Sequence, residues 1–133
     1  MMPAVLLDTD IFSFTFKRDT RGELYVPDLA GKQPCVCFQS VAELRLWTLV
    51  RRWGEARRQS LDASLARCLT LPFDNATSQH WAEVTVARRK IGRPISCGDA
   101  WIAATALRHD LTLLTHNSGD YTDIPNLKIV CHA

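Results

Sequence analysis

Four acidic residues, Asp8, Glu43, Asp99 and Asp120, have the type and setting to do chemistry in this chain. Asp8 ends the apolar run Val5-Leu6-Leu7 and is followed by Thr9 and Asp10. Glu43 lies in Ser40-Val41-Ala42-Glu43, and Asp99 in Ser96-Cys97-Gly98-Asp99. Asp120 comes after Leu113-Leu114, in the polar stretch Thr115-His116-Asn117-Ser118-Gly119-Asp120. Carboxylates gathered in one place raise one another's pKa and resist joint ionisation. A divalent cation resolves that conflict, and hard oxygen donors suit Mg2+ or Mn2+.

Each acid also has a plainer reading. Ser40 with Glu43, and Ser96 with Asp99, have capping-box spacing, in which the acid closes the first turn of a helix. Asp10 has the position to N-cap a helix beginning at Ile11. The stretch after Leu114 has the composition of an ordinary turn. Asp8 is the acid for which capping explains least. A helix N-terminus favours a charged carboxylate, so capping and ligand roles are compatible in one residue.

The elements that must position these acids alternate strand and helix. Ala4 to Leu7 reads as a buried parallel strand, Asp10 to Phe16 as a short helix or turn, and residues 17 to 33 as a loop with one helical turn. A second strand, Cys35 to Phe38, leads to a long helix from Ser40 to about Arg58 and another from Leu61 to Cys68. A short strand at Thr70 to Phe73 precedes a helix capped by Asn75 or Thr77 and ended at Gly92. The helix Cys97 to Arg108 is apolar nearly all round, which predicts the most buried helix. Leu111 to Leu114 and Leu127 to Val130 are the remaining strands. This alternation predicts one α/β domain over residues 1–133, a twisted parallel sheet of about five strands flanked by helices. Ligands of such sheets bind beyond the carboxyl ends of the strands, where the four acids would meet.

The 133 residues, 47% of them hydrophobic, suit a single globular core. No apolar run is long enough to span a bilayer, and no signal peptide is visible, so the expected location is the cytoplasm. The five cysteines, Cys35, Cys37, Cys68, Cys97 and Cys131, lack zinc-site spacing and read as small, buried, reduced thiols. The net charge is +2, with arginines bunched at Arg51, Arg52, Arg57 and Arg58 and again at Arg88, Arg89 and Arg93. Either bunch alone reads as a solvated helix face. Beside an acidic site they point to a polyanionic substrate, because the guanidinium fork matches phosphate.

Asp8-x-Asp10 after a strand also resembles the nucleophile-and-acid pair of haloacid-dehalogenase-type phosphatases. Those need a late Gly-Asp-x-x-x-Asp, and here Gly98-Asp99 is followed by Ala100-Trp101-Ile102-Ala103. A receiver-type signalling domain would need a lysine just past the last strand, and Lys128 falls inside it.

Taken in order, Leu6-Leu7-Asp8-Thr9-Asp10-Ile11, Ser40-Val41-Ala42-Glu43-Leu44, Asp99-Ala100-Trp101-Ile102-Ala103-Ala104 and Leu114-Thr115-His116-Asn117 with Asp120-Tyr121 resemble the PIN domains, close to the VapC-type ribonuclease toxins. The resemblance covers essentially the whole chain. It implies metal-dependent hydrolysis of RNA, with Asp8 and Asp99 as the most direct ligands of Mg2+ or Mn2+. Glu43 and Asp120 complete the acidic pocket, with Asn117 beside the fourth position and Thr9 or Thr115 orienting a ligand or phosphate. It also implies an antitoxin that blocks the site and a homodimer. A non-catalytic PIN-like scaffold binding RNA or protein is the further alternative. The segment from Asp19 to Gln33 departs from the family pattern by lacking a long second helix.

Overall fold

Along the first strand, β1 (Ala4–Leu7), side chains alternate between two cores. Leu6 enters one buried cluster, while Val5 and Leu7 enter another. The same alternation runs along β2 (Gln33–Cys37), where Cys35 and Cys37 share the face of Leu6 and Val36 joins Val5 and Leu7. Strands loaded on both faces belong inside a sheet covered on both sides. In the computed structural model, which describes residues 2–133, that sheet has five parallel strands in the order β3-β2-β1-β4-β5. The other strands are β3 (Leu69–Leu71), β4 (Leu113–Leu114) and β5 (Ile129–Val130), with β1 at the centre.

One face is covered by α1 (Thr9–Lys17), α4 (Phe38–Val50) and α5 (Glu55–Ala66), through Ile11, Phe12, Leu44, Leu61 and Leu65. The other is covered by α6 (Asn75–Lys90) and α7 (Cys97–Arg108), through Val84, Ala100, Ile102, Ala103 and Ala106. The small side chains of α7 let it lie close against the strands, and six of its residues are buried.

Several expectations shift. Residues 17 to 33 hold two short helices, α2 (Thr20–Glu23) and α3 (Val26–Leu29), rather than one helical turn in a loop. The long helix expected from Ser40 to Arg58 breaks after Val50. Arg52 adopts a left-handed backbone (φ 51°), and Trp53 turns inward to stack on Phe16, with ring centroids 5.8 Å apart. The bend goes with burial of that indole, and α5 restarts after Gly54, earlier than the expected Leu61. Helix α6 is capped by Asp74 rather than Asn75 or Thr77; Asp74 and Thr77 form the capping box. Cys35 and Cys37 are buried as expected, but Cys97 is exposed. No helix among the described residues is long and apolar enough to cross a membrane.

Candidate active site

After β1 the chain builds β2 and β3 on one side, then returns to β4 on the other. The carboxyl ends of β1 and β4 therefore flank the point where strand order reverses, the usual ligand crevice of an open α/β sheet. Asp8 stands there, 7% exposed, immediately beyond β1. Its Oδ1 accepts the amide of Thr9 at 2.8 Å, so Asp8 is the N-cap of α1. Its Oδ2 accepts the Thr115 hydroxyl at 2.7 Å and the Tyr121 hydroxyl at 3.1 Å. Asp10, expected to cap, lies inside the helix instead. Besides the Ile11 amide, its carboxylate accepts the His116 amide at 3.1 Å and the Asn117 side-chain amide at 3.3 Å.

Asp99 comes from the start of α7. Ser96 caps that helix by accepting the Asp99 amide, but no reciprocal bond closes a box. The Asp99 carboxylate bonds with the Ser96 side chain on its own turn, and its Oδ1 accepts the Tyr121 hydroxyl at 3.2 Å. One phenol hydrogen is therefore shared between two acids separated by 91 positions in the chain.

At Glu43 the capping expectation fails. Helix α4 starts at Phe38 with Cys37 as its N-cap, so Ser40 lies within the first turns. The fully buried Ser40 hydroxyl accepts from Thr9 at 2.9 Å and ties α4 to α1. Glu43 accepts the side-chain amide of Gln39 at 3.1 Å and faces Gly98 of α7. A Cβ at Gly98 would stand 3.0 Å from Gln39 Nε2 and 3.1 Å from Glu43 Oε1, so the ends of both side chains lie against this turn of α7. Asp120 is exposed, on the 3-10 turn Ser118–Tyr121 whose last residue is buried.

Electrostatics connects the acids. Burial, then the charge of Asp10, pushes the Asp8 carboxyl up to about 7, against the hydrogen bonds from Thr115 and Thr9. Asp10 is raised chiefly by burial, with a contribution from Asp120. Asp99 is also raised chiefly by burial, opposed by its hydrogen bond with Ser96 and aided by the charges of Asp120 and Glu43. Among the described residues no three His, Cys, Asp or Glu side chains form a finished metal cage; Asp8 and Asp99 meet at the Tyr121 hydroxyl. The donor set nevertheless fits a hard divalent cation: carboxylate oxygens of buried Asp8 and half-buried Asp99, both with raised proton affinity.

The supporting residues divide. Thr115, fully buried at the end of β4, orients Asp8 and accepts the Asn117 amide at 3.1 Å. Thr9 serves the α1–α4 contact. Arg88, expected among nucleic-acid contacts, is 4% exposed and turned inward. Its guanidinium donates to the carbonyls of Arg93, Asp120 and Thr122, which removes it from the surface and makes it the brace of the 3-10 turn. Arg93 pairs with Asp123, while Arg89, Arg52 and Arg58 are exposed. Arg51 and Arg57 are also exposed and lie over Trp47 and Trp53. Lys128 pairs with Asp110 rather than with any of the acids.

The sequence pointed to no site role for Tyr121 or Tyr25, and for Ser40 it pointed to a helix cap rather than to the bond with Thr9. Tyr25, fully buried, donates to the Thr115 carbonyl at 3.1 Å and accepts the His132 amide at 2.9 Å, bracing the end of β4 from beneath. A tyrosine next to an acid in a polar turn was the available signal for Tyr121. Tyr25 and Ser40 had none, since their partners are distant in sequence.

The PIN domain family model matches residues 5–126 of the chain. The protein belongs to the PIN-domain family. It is 34% identical over 107 residues to the ribonuclease VapC4 of Mycobacterium tuberculosis, covering 78% of this chain and 82% of that protein. It is 30% identical over 116 residues to the ribonuclease VapC5 of the same organism, covering 86% of this chain and 83% of that one. The fold superposes on that of a chain in the VapBC2 structure from Rickettsia felis, bound to a promoter DNA fragment. The TM-score is 0.85 at 23% identity, over 96% of this chain and 98% of that one. A chain of the M. tuberculosis VapBC-5 toxin–antitoxin structure gives a TM-score of 0.75 at 26% identity, over 97% of this chain and 98% of the other.

Proposed function

We propose that this PIN-domain protein is a divalent-metal-dependent endoribonuclease and the toxin of a type II toxin–antitoxin pair. The observation that carries the reading is the pairing of Asp8 with Asp99 beneath one hydroxyl, at the strand-order switch of a PIN fold. Relatives named as ribonucleases support the substrate class. Solved VapBC structures support a protein antitoxin as the partner.

Asp8 and Asp99 are the residues to hold Mg2+ or Mn2+, and Glu43 and Asp120 complete the acidic mouth. The bound cation would supply Lewis acidity and a water of lowered pKa. Glu43, half-buried and held by Gln39, is suited to take a proton from water arriving at that mouth. Thr115 and Thr9 fix Asp8 in one rotamer, so its geometry exists before substrate arrives. Exposed arginines on α5 and at the ends of α4 and α6 would bind the RNA backbone. By family likeness the protein would form a homodimer and act in the cytoplasm.

The test is cleavage of RNA by the purified chain with Mg2+, Mn2+ or EDTA. Cleavage that needs the cation and disappears in both Asp8→Asn and Asp99→Asn is expected. Metal-independent cleavage, or turnover confined to small phosphoesters through Asp8 and Asp10, would overturn the reading.

A further inference from the structure

Tyr121 is 1% exposed and belongs to the buried cluster that includes Leu6, Ala100 and Ala103. Its hydroxyl therefore reaches the acids from the core. The backbone on both sides of it is held: the Arg88 Nη1 donates to the Asp120 carbonyl at 2.9 Å and the Thr122 carbonyl at 3.2 Å. The phenol is thus aimed by a buried brace, and it ends between Asp8 Oδ2 and Asp99 Oδ1.

The two acids depend on it unequally. Asp8 keeps two other donors, the Thr9 amide and the Thr115 hydroxyl. The Asp99 carboxylate has no such anchor beyond Ser96 on its own helical turn. We propose that Tyr121 is a positioning residue that draws Asp99 against Asp8 and so pre-forms the two-carboxylate seat for the divalent cation.

This rests on the metal-nuclease reading. Two effects oppose each other when the hydroxyl is removed. The acids repel more, which favours an incoming cation, and Asp99 is free to swing toward water, which disfavours it. Asp99 is only partly buried, so the swing is open to it and prevails. Groups that orient metal ligands in this way are typically worth about 10- to 100-fold in metal affinity.

The experiment is Mn2+ binding to the full chain, followed by the electron paramagnetic resonance of free Mn2+. Tyr121→Phe should weaken binding about tenfold or more, and Asp99→Asn with Tyr121→Phe should bind no worse than Asp99→Asn alone. Affinity that is unchanged or tighter in Tyr121→Phe, while the unmodified protein binds Mn2+, overturns the positioning role and leaves the nuclease reading standing. Failure of the unmodified protein to bind Mn2+ overturns both. The chain has two tyrosines, so 13Cζ-tyrosine labelling gives two signals, readable even if the variant does not fold. Saturating Mg2+ should shift the Tyr121 signal and leave Tyr25 in place; a Tyr121 signal that stays still overturns the proposal.

Discussion

Asp74 and Asp8 are both acids at the N-cap of a helix, and they have opposite fates. Asp74 sits on the surface, bonded to the Thr77 amide and hydroxyl and paired with Arg108. Its carboxyl is held well below the ordinary range, first by Arg108 and then by Thr77. Asp8 caps α1 through one oxygen, but it is buried, has Asp10 and Asp99 for neighbours, and is raised to about 7. Capping geometry alone therefore says little about role. An acid supplied with positive charge is finished as a structural element. An acid deprived of it, next to others in the same state, is prepared for a cation from outside.

Replacing the deprived acids should have the largest effect. Asp8→Asn and Asp99→Asn should each lower RNA cleavage by about 100-fold or more, the scale expected when a metal site is disabled. Asp74→Ala should melt at a lower temperature yet cleave RNA at the unmodified rate. A cleavage defect in Asp74→Ala as deep as that of Asp8→Asn, at a temperature where both are folded, would erase the distinction.

Glu43 sharpens it next, because its capping role has vanished with the start of α4 at Phe38. Glu43→Gln keeps the oxygen that accepts from Gln39, so the melting temperature should stay within error. Cleavage should fall by about tenfold or more if the charge matters at the acidic mouth. Unchanged turnover in a steady-state assay would move Glu43 to the structural group.

A third expectation concerns pH. The folded pKa of Asp8 lies above its unfolded value of 3.8, so the folded state holds more protons between about 4 and 7. Stability of the metal-free protein should therefore fall as pH rises through that window, by an amount on the order of a few kcal/mol, and then level off. Mg2+ should raise the melting temperature more at pH 8 than at pH 5, and Asp8→Asn should flatten the metal-free slope. A metal-free melting temperature that climbs between pH 4 and 7 would contradict the charge-starved picture of the site.

The arginines give the smallest effect. Neutralising Arg51, Arg52, Arg57 and Arg58 together should weaken RNA binding and reduce the log–log salt slope by about 0.7 for each phosphate that is no longer neutralised. Affinity and slope that match the unmodified protein would assign these residues to a partner surface. Arg88 should behave differently from them. As the brace of the 3-10 turn, its loss should show first in melting temperature.

Although the second and third strands end at Cys37 and Leu71 rather than at Phe38 and Phe73, the apolar run Val5-Leu6-Leu7, the apolar helix at Cys97–Arg108 and the order of the acidic motifs were enough to read the fold class and the family. These depend on local periodicity and on spacing along the chain, which any conformation of the sequence carries. The capping spacings misled, because Ser40-x-x-Glu43 has the letters of a box while the helix begins at Phe38. Arg88 misled likewise, since an arginine in a basic run differs from a buried brace only by what lies above it. The decisive contacts join residues far apart in the chain: Thr115 with Asp8, Ser40 with Thr9, and Tyr121 with both Asp8 and Asp99. Such contacts exist only once parallel strands bring their carboxyl ends together, because a hydrogen bond needs its partners within about 3 Å and no local pattern encodes which distant residue will be there.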